Sequence, residues 1–130
     1  MENFKRRLGA VAVAAALALP GTAFAQEYYC TLSSQTDGWV PREFSISYIG
    51  SNAVVSHGWG NSVESHQVPI RGNNTQRRVS YSIQTSGFGA NQATIAFRLT
   101  HNVATGGLRV RLNPIEYPNT ASGIGACVPV

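Results

Sequence analysis

The sequence predicts an all-β fold: a small antiparallel up-and-down barrel of seven or eight strands, with a two-sheet β-sandwich as the alternative. Three observations predict it. After residue 25, apolar and polar residues alternate with period two along most of the chain, and helical periodicity is nearly absent. Turn signals rich in glycine and asparagine recur between the alternating runs. Two cysteines, Cys30 and Cys127, stand at opposite ends of this region, and a bond between them makes the first and last strands neighbours.

The segment ahead of the alternation has a different character. Lys5, Arg6 and Arg7 precede a 12-residue apolar stretch, Leu8 to Leu19; Pro20-Gly21 then breaks it, and Ala23-Phe24-Ala25 offers small residues for cleavage. That order reads as a signal peptide over residues 1–25, with the mature chain starting at Gln26. A membrane-spanning helix needs about 20 apolar residues, so neither this stretch nor any later one qualifies. Cys30 is not a lipid-attachment site, because Glu27-Tyr28-Tyr29 before it lacks small residues. The Ala-Phe-Ala/Gln junction is of the bacterial export type, so the expected location is periplasmic or secreted, soluble after cleavage. Residues 26–130 then form a single all-β domain, long enough to bury a core with modest margin.

The strands follow in order. Tyr28–Ser33 is a weak first candidate. Phe44, Ile46 and Tyr48 alternate with Ser45 and Ser47, and the weaker runs Ala53–His57 and Val63–Ile70 follow the turn Gly50-Ser51-Asn52. After Gly72-Asn73-Asn74, Val79, Tyr81 and Ile83 alternate with serines. Beyond Ser86-Gly87-Phe88-Gly89, Ile95, Phe97 and Leu99 do the same with Ala96 and Arg98. Thr105-Gly106-Gly107 leads into Leu108, Val110 and Leu112, and Ile124–Val128 closes the set. A loop over Asn102–Gly107 sets His101 opposite Leu108, Leu99 opposite Val110 and Phe97 opposite Leu112. A loop around Ser86–Asn91 sets Ile83 beside Ile95 and Tyr81 beside Phe97. A slip of one residue would turn each inward side chain to the other face, so this register is the self-consistent one. The expected core is Phe44, Ile46, Tyr81, Ile83, Ile95, Phe97, Leu99, Val110 and Leu112.

In an oxidising compartment the simplest use of the two cysteines is one Cys30–Cys127 disulfide. Closing a loop of nearly the whole domain stabilises it by about 4–5 kcal/mol on the chain-entropy argument.

Without the leader the chain keeps seven arginines, no lysine and five acids, a net charge of +2. That is too little for a nucleic-acid partner, which requires a strongly basic face. Guanidinium groups suit bidentate contacts to carboxylate or phosphate. The register places Arg98 opposite Arg111, Arg109 beside Thr100, and Arg78 near Thr100 on the next strand. Arg78, Arg98, Arg109 and Arg111 therefore share the outward face as a candidate anion-binding set. Like charges directly opposite weaken a sheet, and an anionic envelope component or an acidic protein surface would relieve them. The plainer alternative is a solvated face that resists aggregation. Trp39 in Gly38-Trp39-Val40-Pro41 and Trp59 in Gly58-Trp59-Gly60 are either plugs of the barrel or ligand-stacking platforms.

His57, Glu64 and His66 fall in one glycine-rich stretch, and a catalytic zinc accepts two histidines and a carboxylate. Their spacing matches no metal signature, so the expectation is surface or turn histidines, no metal and no cofactor. His101 has inward parity beside a loop, as a rim histidine would. No Gly-x-Ser-x-Gly elbow appears and the five acids are scattered, so no catalytic residue is assigned.

Tyr-x-Cys at the mature start, Gly38-Trp39-Val40-Pro41, Pro114-x-x-Tyr117-x-Asn119 and Gly-x-Gly125-x-Cys127 together resemble a group of small exported bacterial proteins of unknown function. The terminal cysteine layout is also similar to that of the periplasmic inhibitors of C-type lysozyme, which are small barrels. Those inhibitors carry a Ser-Gly-x-x-Tyr loop, whereas Ser122-Gly123-Ile124-Gly125 and Ser86-Gly87-Phe88-Gly89 have no tyrosine there. The functional expectation is a non-catalytic periplasmic or secreted binding module. The alternative is a metal-dependent or other hydrolase using the His57–His66 stretch.

Overall fold

The computed structural model describes residues 26–59, 62–88 and 91–130. The predicted signal peptide, residues 1–25, lies outside them, as do residues 60–61 and 89–90.

Nine antiparallel strands make one sheet: β1 (Gln26–Gln35), β2 (Glu43–Ile49), β3 (Asn52–Trp59), β4 (Ser62–Pro69), β5 (Arg71–Gly72), β6 (Gln76–Phe88), β7 (Asn91–Asn102), β8 (Gly107–Pro114) and β9 (Ala121–Pro129). Their order is β4-β3-β2-β1-β9-β8-β7-β6-β5. Every strand lies beside its sequence neighbour except at one break, and β1 pairs with β9, so the meander curls into a nearly closed barrel. The expected count of seven or eight becomes nine because the chain turns a corner at Ile70, leaving Arg71–Gly72 as a separate two-residue strand on β6. Such a short element lacks the alternation by which strands are recognised.

The hairpin register is the expected one. Phe97 pairs with Leu112, Leu99 with Val110 and His101 with Leu108; Tyr81 pairs with Phe97 and Ile83 with Ile95. All nine expected core residues are buried, joined by Tyr28, Leu32, Tyr48, Val55 and Val79. Gly106, at φ +83°, turns the chain between β7 and β8, and Gly72, at φ +94°, turns it after β5.

The disulfide Cys30–Cys127 is formed, tying two residues that face each other across β1 and β9. Beside it β1 bulges between Leu32 and Ser34. Gly125 permits that close crossing, because a Cβ there would overlap the Thr31 carbonyl and the Leu32 Cα.

Candidate functional site

The outer face of β5–β8 collects arginines. Two of the seven serve the fold. Arg42 Nε donates to Gln35 Oε1 at 2.8 Å, and the Arg77 guanidinium lies over the Tyr48 ring, 4.4 Å from its centroid. The other five share the exterior: Arg98 faces Arg111 and Arg109 faces Thr100, Arg78 faces Thr100, and Arg71 faces Arg78. Sequence reasoning placed Arg78, Arg98, Arg109 and Arg111 and missed Arg71, because the corner at Ile70 that returns it to the sheet has no periodic signal.

Beside the Arg98–Arg111 pair the neighbouring side chains are short. Ser80, Ser82, Ala96 and Asn113 line a shallow depression of about 440 Å³ flanked by the two guanidiniums. Small side chains next to long ones create this relief. Two of the acids are held by neighbours off this pair. Glu43 is buried on β2 and accepts from Tyr29 OH at 2.6 Å; burial and that carboxylate push the Tyr29 phenol up to about 12. Glu116 accepts from Thr94 N at 2.6 Å, and Thr94 stands four residues before Arg98 on β7, about 13 Å at strand rise.

The interior carries polar groups too. His57 faces Glu64 across β3 and β4, and His66 faces Val55, so all three point into the barrel. The expectation of surface or turn histidines is corrected for His57, which is fully buried. Alternation through Ala53, Val55 and His57 carries it onto the core side of β3, a signal too short to separate from a turn in the sequence. The three do not assemble a metal-ligand group, and no such group occurs among the described residues.

His57 instead joins an aromatic stack. Its Nδ1 is hydrogen-bonded to Tyr81 OH at 2.8 Å, its ring lies 4.7 Å from that of Phe97, and His66 stacks on Tyr81 at 4.6 Å. Burial, and secondarily His66, hold the His57 imidazole down to about 3, so it is neutral at ordinary pH. His101 repeats the device nearer the β7–β8 loop. Its Nδ1 is bonded to Tyr48 OH at 2.7 Å, and burial, with a lesser contribution from Arg77, holds it down to about 4. The Nε2 atoms of His57, His66 and His101 are buried without a protein partner among the described residues.

Trp39 and Trp59 meet edge to face, 6.4 Å between ring centroids. Both are half-buried against the core, and Trp59 Nε1 donates to Thr85 Oγ1 at 3.1 Å. The chain thus brings together two tryptophans that the sequence showed only as separate glycine-flanked aromatics. Comparisons with family models, curated proteins and solved structures return no match.

Proposed function

We propose that this chain is an exported, non-catalytic binding module whose arginine-bearing exterior on β5–β8 engages an anionic component of the cell envelope. The leader-like first 25 residues and the disulfide support placing it in the periplasm or outside the cell. The observation that carries the reading is the face-to-face pair Arg98 and Arg111, set beside a depression lined by Ser80, Ser82 and Asn113. Two guanidiniums directly opposite repel, and an oxyanion between them converts that repulsion into charge-assisted hydrogen bonds. Serine hydroxyls and an asparagine amide then complete a donor-rich surround.

Binding of the exported protein to soluble polyphosphate, followed as salt is raised, tests this reading. Exposed charges are screened within about 10 Å at 0.1 M salt, so binding should weaken steeply. The double variant Arg98→Ser/Arg111→Ser should lose binding, keep its fold, and gain a fraction of a kcal/mol in stability. Unchanged polyphosphate binding by that variant would return these arginines to the role of a solvated face.

A further inference from the structure

The arginine-bearing exterior continues from β8 onto β9. β9 alternates Gly123, Gly125 and Cys127 inward with Ile124, Ala126 and Val128 outward. Ile124 is 53 % exposed, Val128 56 % and Val130 71 %. Among the described residues Ile115 alone joins them as a large exposed hydrophobic side chain, so the wet aliphatic surface is concentrated along one strand rather than scattered. Scattered single residues would call for no explanation, but an aligned stripe does.

The register joins this stripe to the arginines. Ile124 faces Arg109 and Ser122 faces Arg111 across β8 and β9. On its other side Val128 faces Tyr29 and Ala126 faces Thr31; the acid that Thr31 faces on β2, Glu43, is buried and accepts from the Tyr29 hydroxyl. Ile124 and Val128 are about 13 Å apart along the strand, and Arg98 lies two strands away, about 10 Å. Aliphatic and cationic groups therefore form one continuous surface. A soluble polyanion would engage the guanidiniums and leave the stripe in water. An apolar protein partner would cover the stripe and leave the guanidiniums without counter-charge.

A surface that presents anionic headgroups above acyl chains uses both halves. We propose that this face docks peripherally on a lipid surface rich in anionic headgroups, with Arg98, Arg109 and Arg111 at the level of the phosphates and Ile124, Ala126 and Val128 pressed into the interface. The proposal rests on the arginine reading above and names the ligand class for the same face. Interfacial binding strength scales with the apolar area buried and with attraction to anionic lipid, so adjacent stripes of the two kinds reinforce one another. Arginine suits the boundary, because its methylene stem lies along apolar surface while the guanidinium reaches phosphate oxygens.

Co-sedimentation of the exported, disulfide-bonded protein with vesicles decides the matter. Vesicles of phosphatidylcholine containing phosphatidylglycerol should bind it, and vesicles of phosphatidylcholine alone should not. Ile124→Ser/Val128→Ser should lower affinity for the anionic vesicles about tenfold, the scale of two partly inserted aliphatic side chains, and leave polyphosphate binding unchanged. Arg98→Ser/Arg111→Ser should lose both ligands. All four positions are exposed, and unaltered circular dichroism with a melting temperature no lower than the parent's certifies the folds. Wild-type vesicle affinity in the Ile124/Val128 variant would overturn the lipid proposal and leave the arginine reading standing. So would a parent protein that binds polyphosphate and ignores anionic vesicles. Retention of both ligands by the arginine variant would remove the reading on which the proposal rests.

Discussion

The barrel is closed twice, by opposite means. At β1–β9 a backbone ladder runs from Tyr28↔Pro129 to Gln35↔Gly123, and the Cys30–Cys127 disulfide crosses it. At β4–β6 no ladder forms among the described residues. Side chains span that seam instead: His66 stacks on Tyr81 at 4.6 Å, and Trp59 reaches from β3 to Thr85 at 3.1 Å. The difference follows from chain connectivity. β1 and β9 are separated by most of the domain, so bringing them together costs loop-closure entropy that a ladder and a covalent bond must offset. β4 and β5 are separated by Ile70 alone, whose N–H donates to Ser51 O at 2.9 Å, so the chain itself holds the seam near. Closure is strong where the sequence separates the strands and light where it joins them.

The most severe way to break this comparison is to remove the covalent half. Cys30→Ala/Cys127→Ala frees a loop spanning a sequence separation of 97, and should cost about 4–5 kcal/mol. Urea midpoints with and without reductant measure it. A midpoint unmoved by reduction would mean that the β1–β9 ladder suffices alone.

The strong junction and the meander it completes were legible in the sequence, whereas the seam was not. Phe97, Leu99, Val110 and Leu112 alternate so regularly that only one register buries all of them, and Arg98 opposite Arg111 came with it. Cys30 and Cys127 announced the neighbouring termini. The seam escaped because β4 is polar on both faces, with Glu64 and His66 inward and Ser65 and Gln67 outward, so alternation could not assign its direction. The pairs His57–Tyr81 and His101–Tyr48 escaped for a different reason. A lone histidine on a strand shows its parity, but its phenol partner is 24 or 53 residues away.

Acid tests the interior beside the seam next. The ordinary histidine value is near 6.5, and burial holds His57 at about 3 and His101 at about 4. The unfolded chain therefore takes up protons that the folded chain refuses. Stability from this source is complete above pH 6.5 and is lost as pH falls toward 4, by roughly 1.4 kcal/mol per pH unit for each histidine. Glu27, whose carboxyl is raised by burial, titrates with the opposite sign on β1. Urea midpoints at pH 7 and pH 5 should differ clearly. Equal midpoints would show that protonated His57 and His101 are accommodated without loss.

The finest comparison uses Trp59→Phe, which keeps an aromatic ring against the core and deletes the N–H that reaches Thr85. One neutral hydrogen bond is worth about 1 kcal/mol, so melting should fall by about 4 °C, far less than on loss of the disulfide. Where the loss appears matters more than its size. If the seam opens as a local unit, the cost falls on that opening, and amide exchange should quicken about fivefold in β4 and in β6 from Val79 onward. The β1 and β9 amides, held by ladder and disulfide, should keep the parent rates apart from the small change in global stability. Uniform acceleration through all nine strands would show that the barrel opens only as a whole. The side-chain seam would then be as cooperative with the core as the ladder on the other side.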